Sequence, residues 1–342
     1  MNRVYEMARE RLSRSSKIVL YGASLAALGI LEEYRLPVAY LVDDTPGMAG
    51  KQLPNGLCVH PVERLAKETK GNIYIVISAW TQNAILTISE RLQGMGFLVG
   101  EDFVDCSILH FDSITAKLQA RLDFKTELET FSACRLWCLN CHATSVSAVA
   151  GTWLFVELLR YLNNGRVPGN VAECGVYQGG NAFISLMLSP ALRARKYQLF
   201  DSFSGFPTFS SVDPTTRRDH FRDVSLTAIT ARFAAFSNVE IHKGYFNKTF
   251  PQLTSADYAL VYIDCDLYES TLECLKFFYP RLRPGGILLL HDYWLPEEKQ
   301  AGALGLDLYR GVKKACAEFL GNTELSQVLS LPETTHGLLV KK

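Results

Sequence analysis

The chain has 342 residues, of which 48% are hydrophobic, and it carries 35 basic and 35 acidic side chains. This length suggests about two domains of ordinary size, and the hydrophobic fraction excludes a disordered or fibrous chain. A formal net charge of zero gives no long-range field that would gather nucleic acid or anionic lipid, so neither is an expected partner.

The sequence gives no signal for a membrane or for export. The longest purely apolar runs, such as residues 287–290, are far shorter than a membrane span. The N-terminus is charged and indicates a helix rather than an apolar secretory segment. The nine cysteines are an odd number and are scattered through expected strands and helices. We therefore expect a cytoplasmic protein in a reducing environment.

Residues 1–110 show the pattern of a small Rossmann-like α/β domain. Strands are expected at 17–21, 38–42 and 72–78, with helices at 24–34 and 82–94. Buried apolar strands that alternate with helices imply a parallel, doubly wound sheet.

This first unit has some features of a dinucleotide-binding domain. Gly22 follows the first strand, Gly29 lies in the next helix, and Asp43 follows the second strand, but the G-x-G-x-x-G fingerprint is absent. Residues 42–56 resemble the small Rossmann-like domains attached to sugar-modifying enzymes. Some of these bind nucleotide sugars and others only pack against a partner domain or subunit, and we favour the packing role.

Residues 111–165 are expected to be a helical connector, and residues 166–342 then repeat the α/β pattern. Strands are expected at 171–174, 197–200, 239–242, 258–263 and 286–290. At the end, residues 325–329 and 337–340 flank a turn and predict a β-hairpin. A doubly wound parallel sheet finished by an antiparallel hairpin is the pattern of class I methyltransferases.

Two acids at strand ends indicate an adenosine-type ligand in this second unit. Residues 173–180, Glu-Cys-Gly-Val-Tyr-Gln-Gly-Gly, lie where a strand ends and a helix begins, and glycines there let a ligand approach the backbone. Asp201 ends the next strand, where an acid can hydrogen-bond ribose hydroxyls. The alternative for Asp201 is an N-capping role in the turn that follows.

Two further carboxylates predict a metal site. Asp264 and Asp266 follow a buried strand, and Asp292 follows the next strand after one strand–helix–strand crossover. The carboxyl ends of adjacent parallel strands lie together, and paired hard oxygen ligands suit Mg²⁺ or a similar divalent ion. The alternative is that one acid caps a helix while the other faces solvent.

Together these motifs resemble the macrocin O-methyltransferase family. The resemblance covers roughly residues 140–342 and rests on residues 173–180, Asp-Ser-Phe-Ser-Gly-Phe-Pro from 201, Lys-Gly-Tyr-Phe from 243, residues 263–271, Pro-Gly-Gly from 284 and His-Asp-Tyr from 291. It implies enzymes that depend on S-adenosylmethionine and a divalent metal and methylate sugar hydroxyls of macrolides and related glycosides.

The resemblance also implies roles for individual residues. The positions expected to bind the cofactor are Glu173, Cys174, Gly175, Tyr177, Gly179, Asp201, Ser202, Gly244, Tyr245 and Asp264. Asp264, Asp292 and His291 are the expected metal ligands, and Asp266 matches the general base. His291 stands where relatives often have a second aspartate, so Mn²⁺ is open beside Mg²⁺, and His291 could instead be a hydrogen-bonded histidine at a strand end.

The predicted function is metal-dependent methyl transfer to a hydroxyl of a sugar or glycoside, in a natural product or a polysaccharide. Two vicinal hydroxyls on a metal would be acidified, and a nearby carboxylate could take the proton. The partner is then a small-molecule acceptor, and a homo-oligomer is compatible with the sequence. The alternative is a nucleotide-sugar-binding protein whose methyltransferase-like domain has no turnover.

Two segments allow other interpretations. Cys134, Cys138 and Cys141 have the spacing that holds a [4Fe–4S] cluster in radical S-adenosylmethionine enzymes, but they also fall on one helix face, where cysteines pack as apolar residues, which we favour. Residues 210–223 are polar, contain Arg217 and Arg218, and have no clear core face. We expect a mobile lid over the acceptor there, against the alternative of an ordinary surface loop.

Overall fold

The computed structural model describes residues 2–79, 81–140, 149–214, 219–253 and 256–342. The first part of the chain forms a five-stranded sheet with helices on both faces. Its elements are α1 (Asn2–Arg14), β1 (Ile18–Tyr21), α2 (Leu25–Glu33), β2 (Val38–Val42), β3 (Val59–His60), β4 (Tyr74–Ile77), α3 (Gln82–Gly94) and β5 (Phe103–Asp105).

The strands of this first sheet are all parallel, in the order β3-β2-β1-β4-β5. The three expected strands and two expected helices are present, with ends that shift by one or two residues. Strands β3 and β5 were not predicted because they have two and three residues, too few to show an alternating or apolar pattern.

Three helices join the two sheets: α4 (Ser107–Leu122), α5 (Leu128–Asn140) and α6 (Val149–Asn164). Helix α6 is buried along most of its length, and the fully buried Trp153 contacts the rings of Phe111 and Phe131 at centroid distances of 5.1 and 5.4 Å. A single cluster of buried apolar side chains runs from the first sheet through these helices to the second. The domain limits at residues 110 and 165 stay a prediction.

The second sheet has seven strands. Its elements are β6 (Asn170–Cys174), α7 (Gly180–Leu188), α8 (Pro190–Arg193), β7 (Tyr197–Asp201), α9 (Leu226–Phe233), β8 (Val239–Lys243), α10 (Phe246–Thr249), β9 (Tyr258–Ile263), α11 (Tyr268–Phe278), β10 (Leu282–Leu290), α12 (Glu298–Leu304), α13 (Arg310–Leu325), β11 (Leu329–Leu331) and β12 (His336–Val340).

The strand order of this sheet is β11-β12-β10-β9-β6-β7-β8. Strands β8, β7, β6, β9 and β10 are parallel, and β12 runs antiparallel between β10 and β11. This is the doubly wound sheet with a C-terminal hairpin that defines the class I methyltransferase fold, as expected.

The first hairpin strand was predicted too early. Residues 325–329 were expected to be this strand, but Leu325 is the last residue of α13 and β11 begins only at Leu329. A short 3-10 turn at Pro332–Thr334 then leads through Thr335, whose φ is +58°, into β12. The apolar pattern could not separate the helix end from the strand because both are partly buried.

The two sheets are joined by direct contacts between α2 and the C-terminal hairpin. A Cβ placed on Gly29 would lie 2.7 Å from the carbonyl oxygen of Pro332, so the helix approaches as closely as a glycine allows. Trp294 Nε1 donates to Glu32 Oε1 at 3.1 Å. Gly29 therefore serves packing between the units. None of the described helices combines the length and the hydropathy needed to cross a bilayer.

Candidate active site

A cavity of about 1040 Å³ opens at the carboxyl ends of the second sheet. Gly175 follows β6, Asp201 ends β7, Asp264 follows β9 and His291 follows β10, and all four line this cavity. The carboxyl edge of a parallel sheet is where open α/β folds bind ligands. The structure thus brings the predicted cofactor turn and the predicted metal site to one wall.

The glycine turn is tightly packed against strand β9. Gly175 has a φ of +91°, and a Cβ at this position would lie 1.8 Å from the carbonyl oxygen of Asp264. Any other residue would force the two strand ends apart, so glycine is required there. Tyr177 also has a positive φ, of +51°, and its side chain lines the cavity.

The carboxylate of Asp201 organises this turn. Its Oδ2 accepts hydrogen bonds from the backbone N–H groups of Val176 and Tyr177, both at 2.8 Å, and its Oδ1 accepts from that of Phe203 at 2.7 Å. The expected local turn contact is therefore present. Three of the acceptor positions of the carboxylate are occupied, and its role toward ribose stays a prediction.

Three residues expected to bind the cofactor do not line the cavity. Glu173 is buried, and its Oε2 accepts from Tyr197 and from Asn181 Nδ2 at 3.1 Å. Cys174 lies in the apolar core behind the sheet. Gly179 caps α7, and a Cβ there would lie 2.9 Å from the ring of Phe233. Glu173 and Cys174 still belong to β6 and are buried on opposite faces of the sheet, whereas the cavity is lined only from Gly175, after the strand has ended.

The remaining cofactor positions do line the cavity. Ser202 donates from its Oγ to the carbonyl oxygen of Gly205 at 2.7 Å, which fixes the loop after β7. Gly244 and Tyr245 follow β8 at the far side of the sheet from the hairpin, and the Tyr245 side chain is 41% exposed. An aromatic ring left open to a cavity is suited to stack on a flat ring such as adenine.

Asp264, Asp266 and His291 form a group whose ligand atoms all lie within 4.8 Å of one another. His291 Nδ1 is 3.0 Å from Asp264 Oδ1 and 3.5 Å from Asp292 Oδ1, and its Nε2 is 3.3 Å from Thr335 Oγ1. Asp292, which was expected as a ligand, is not a member of this group. Asp266, which was expected to be the base, takes that place.

The side chains of this group and the neighbouring Asp292 shift one another's pKa values. Burial raises the pKa of Asp266 well above its usual value, and the nearby carboxylates of Asp292 and Asp264 raise it further. Burial alone would also raise the pKa of Asp292 and lower that of His291. Contact with His291 lowers the pKa of Asp292, and Asp264 with Asp292 raises the pKa of His291 well above its ordinary value. A side-chain hydrogen bond between Asp266 and Asp292 further raises the pKa of Asp266 and lowers that of Asp292.

Backbone strain is concentrated around this cavity. Tyr177, Phe203, Asp266 and Asp292 have φ values between +49° and +63°, a region that costs a non-glycine residue about 1 kcal/mol or more. Such strain persists where the surrounding structure holds a side chain in one orientation. Asp266 and Asp292, two of these residues, lie after the neighbouring strands β9 and β10, and both line the cavity.

Several lining residues were not predicted. Among them are Ser24, Leu25 and Thr81 of the first unit and Phe206, Phe221, Leu306, Asp307 and Tyr309 of the second. Phe206 lies within a family motif and could have been found from it. The contribution of the first unit has no signal in the sequence because it depends on how the two sheets pack together.

The segment 210–223 is attached to the cavity at both ends. Asp213 is buried, and it accepts from Tyr268 N at 2.9 Å and from Ser210 N at 2.8 Å. The Tyr177 hydroxyl donates to the Asp223 carboxylate at 2.9 Å. The segment therefore has a buried anchor that the sequence did not reveal. Arg217 and Arg218 lie outside the described residues.

Cys134 and Cys138 are fully buried on α5, and burial raises the pKa of the Cys134 thiol well above its usual value. Thiols that stay protonated in an apolar core pack as small apolar side chains. This agrees with the packing interpretation for the two described positions. Cys141 lies outside the described residues.

Comparisons with known proteins agree with this geometry. Residues 154–317 match the model of the family Macrocin-O-methyltransferase (TylF). The 8-demethyl-8-(2,3-dimethoxy-alpha-L-rhamnosyl)-tetracenomycin-C 4'-O-methyltransferase of Streptomyces olivaceus is 33% identical over 143 residues, which cover 37% of this chain and 54% of that protein. The mycinamicin III 3''-O-methyltransferase of Micromonospora griseorubida is 29% identical over 150 residues, 40% of this chain and 59% of that one.

Among solved structures, the O-methyltransferase NovP is 21% identical and has a TM-score of 0.49, with 68% of this chain and 98% of that chain covered. The matches to the two curated relatives from Streptomyces and Micromonospora span only between half and three fifths of the length of those proteins. The family match begins within α6 and ends within α13, and it includes the glycine turn and the carboxylate–histidine group. This part of the chain matches the macrocin O-methyltransferase family.

Proposed function

We propose that the protein is an S-adenosylmethionine-dependent O-methyltransferase that acts on a hydroxyl of a sugar or glycoside with the help of a divalent metal. The observation that carries this proposal is the single cavity shared by the glycine turn and the group Asp264, Asp266 and His291. The Streptomyces relative is named for 4'-O-methylation of a rhamnosyl tetracenomycin, which supports the acceptor class, and the Micromonospora relative is named for 3''-O-methylation of mycinamicin III.

The methyl donor would lie along the wall from Gly175 to Tyr245. Gly175 lets the donor approach the backbone, and the loop that Asp201 holds presents Ser202 to the cavity. Tyr245 offers an exposed ring at the adenine end. A donor bound along this wall would direct its sulfonium methyl group toward the strand ends of β9 and β10.

The donor set suits a divalent cation. Two carboxylates and one imidazole converge within 4.8 Å, and Asp292 adds a third carboxylate beside them. His291 is the one cationic group that faces these carboxylates among the described contacts, so the site carries excess negative charge that a cation would offset. Asp264, Asp266 and His291 would hold the ion. When bound, it would acidify a hydroxyl of the acceptor. The imidazole ligand makes Mn²⁺ a candidate beside Mg²⁺.

The protein's own part in the reaction is alignment and proton removal. The acceptor oxygen attacks the methyl carbon in line with the carbon–sulfur bond, which breaks as the carbon–oxygen bond forms, and S-adenosylhomocysteine leaves with the sulfur electron pair. The hydroxyl proton would pass to the carboxylate of Asp292, which lies beside His291 and is not one of the three residues that would hold the ion. Asp292 follows strand β10, lines the cavity and is itself buried.

The alternative, a nucleotide-sugar binder without turnover, is disfavoured by charge. A nucleoside diphosphate needs basic partners. In the described part of the cavity wall no lysine or arginine is present, whereas seven carboxylate residues line it: Asp201, Asp264, Asp266, Glu269, Glu273, Asp292 and Asp307. A neutral glycoside acceptor fits such a wall better.

The test is calorimetric titration of metal-stripped protein with S-adenosylmethionine, repeated with Mg²⁺ and with Mn²⁺, followed by methyl transfer to a panel of glycosides. We expect Asp264→Asn to reduce transfer by about 100-fold or more while S-adenosylmethionine still binds. The matched control is Asp257→Asn, since that carboxylate pairs with Arg283 on the surface.

Two results would contradict the proposal. If folded wild-type protein bound no S-adenosylmethionine under any metal condition, the cofactor site would be wrong. If Asp264→Asn transferred methyl groups as fast as the Asp257→Asn control, the assignment of the metal group would be wrong.

A further inference from the structure

The wall of the cavity is not built by the family domain alone. Ser24 and Leu25, which follow strand β1, and Thr81, which follows β4, line the same cavity as Asp264 and His291. These three residues lie far outside the matched segment 154–317. The first α/β unit therefore faces the reaction site with the carboxyl ends of its own strands.

The three residues lie at a special place in the first sheet. In the order β3-β2-β1-β4-β5, the chain runs outward from β1 to β2 and β3 and then returns to the other side of β1 with β4. The carboxyl ends of β1 and β4 therefore flank the point where the strand order reverses. Open α/β sheets bind ligands in the crevice at this point.

The local structure makes this surface well defined and uncharged. Ser24 Oγ donates to the carbonyl oxygen of Ser78 at 2.6 Å and accepts from Ala26 N at 3.1 Å, so it caps α2. Thr81 Oγ1 caps α3 by accepting from Ala84 N at 3.3 Å. Leu25 is partly exposed and adds an apolar patch between them. Hydroxyl groups beside an apolar patch suit the mixed surface of a glycoside.

The docking of the first unit places this surface on the acceptor side. Helix α2 packs through Gly29 on the turn at Pro332, and Glu32 accepts from Trp294, three residues after His291. Strand β10 therefore lies near α2, whereas Gly244 and Tyr245 lie beyond β8 at the opposite edge. The donor wall and the first unit thus approach the cavity from different sides.

We propose that the first α/β unit is the acceptor-selecting wall of this methyltransferase, and that Ser24, Leu25 and Thr81 contact the non-reacting part of a glycoside acceptor. This inference rests on the proposed function, since it needs the acceptor to occupy the cavity. It gives the first unit a role in specificity beyond the packing role that the sequence favoured.

The test uses the full chain with two changes at one position. Leu25→Trp fills the space in front of the wall, and Leu25→Ala enlarges it. Leu98→Trp is the matched control because Leu98 belongs to the same unit and is 56% exposed. Methyl transfer is measured with methyl α-L-rhamnoside and with a rhamnoside that bears an aromatic aglycone, and S-adenosylmethionine affinity is measured by calorimetry.

We expect Leu25→Trp to raise the KM for the larger rhamnoside by about tenfold, with unchanged S-adenosylmethionine affinity and a smaller effect on methyl rhamnoside. Leu25→Ala should reduce the ratio of the kcat/KM values for the two acceptors. This variant provides the test if Leu25→Trp does not fold. Equal kinetics for Leu25 variants and the Leu98→Trp control would overturn the inference and leave the proposed function intact. If wild-type protein methylates neither rhamnoside nor any other glycoside of the panel, both fall together.

Discussion

The acidic side chains of the candidate site fall into two groups that the sequence does not separate. The Asp201 carboxylate accepts hydrogen bonds from three backbone N–H groups. Glu173 is buried, and the side chains that donate to it, Asn181 and Tyr197, are uncharged. Burial raises the pKa of Glu173 to about 8, although Tyr197 and Asn181 donate to it. The raised pKa favours the neutral form of this buried carboxyl group, which lies outside the set of acids that line the cavity.

This position leads to a prediction about stability and pH. The folded protein holds a proton on Glu173 that the unfolded chain releases above its ordinary pKa of 4.5. The contribution of Glu173 is therefore fully present below about pH 4.5 and is lost as the pH rises toward about 8. Glutamine does not titrate, so we expect Glu173→Gln to abolish this pH dependence. The free energy of unfolding of the variant should then rise relative to that of wild type by about 1 kcal/mol per pH unit across that window.

The measurement is urea unfolding of both proteins at several pH values between 5 and 8. Glu240→Gln is the control, because side-chain hydrogen bonding to Lys196 lowers the pKa of Glu240 and its contribution changes only at acid pH. Parallel stability curves for wild type and Glu173→Gln would show that the Glu173 carboxyl is ionised in the fold.

At the scale of elements, the loops after the parallel strands position the site. The loops after β9 and β10 hold Asp266 and Asp292 with positive φ values, and the segment 210–223 reaches back to the glycine turn through Asp223 and Tyr177. His220 and Phe221 of that segment line the cavity. This geometry agrees with a lid, whose movement remains a prediction.

The lid is tested by limited digestion with trypsin, which cleaves after Arg217, Arg218 and Arg222. Because a ligand that binds only the closed form lowers the open population, we expect saturating S-adenosylhomocysteine to slow cleavage there about tenfold. Cleavage after Arg14, which is exposed on α1, is the internal control. Mass spectrometry of the fragments gives both rates from one digest.

A second measurement distinguishes the lid from an ordinary loop. Tyr177→Phe removes the hydrogen bond to Asp223 and should speed cleavage in the segment without a change at Arg14. Cleavage rates that do not respond to S-adenosylhomocysteine would contradict the lid.

At the scale of the molecule, the close approach of α2 to the C-terminal hairpin fixes the two units relative to each other. Lys51 Nζ donates to the carbonyl oxygen of Leu304 at 2.5 Å, and Lys117 Nζ lies 2.9 Å from the buried Glu333 carboxylate. Glu333 directly follows Pro332, against whose carbonyl oxygen Gly29 packs. The first unit can act as an acceptor wall only while this packing holds.

We therefore expect Gly29→Ala to destabilise the protein by about 1–3 kcal/mol, since its Cβ would overlap the Pro332 carbonyl and push α2 away. It should also raise acceptor KM more than it changes S-adenosylmethionine affinity. Chemical unfolding and steady-state kinetics measure the two effects.

The control for this substitution is Gly302→Ala in α12, where a Cβ would meet nothing within 4 Å. An alanine there should be neutral or stabilising by about 0.5–1 kcal/mol. If Gly29→Ala behaved like this control, the close contact between the units would not be needed.

The sequence by itself determined the two α/β sheets, most of their strands, the presence of a terminal hairpin and the resemblance of the second unit to the macrocin O-methyltransferase family. Apolar strands, glycine turns and acids at strand ends are local patterns, and a local pattern survives without knowledge of the rest of the chain. For the same reason the residue pattern alone places Gly175, Asp201, Asp264 and His291 at one sheet edge.

Only the tertiary structure decided which side chains share a space. In the structure Glu173 and Cys174 are buried away from the cavity. Asp266 rather than Asp292 groups with Asp264 and His291. Ser24 and Thr81 of the first unit line the same cavity as this group. Side-chain direction depends on strand pleat and backbone strain, and the contribution of the first unit depends on complementary packing between faces distant in sequence. A local pattern of residues therefore predicts neither the direction of a side chain nor the packing between the two units.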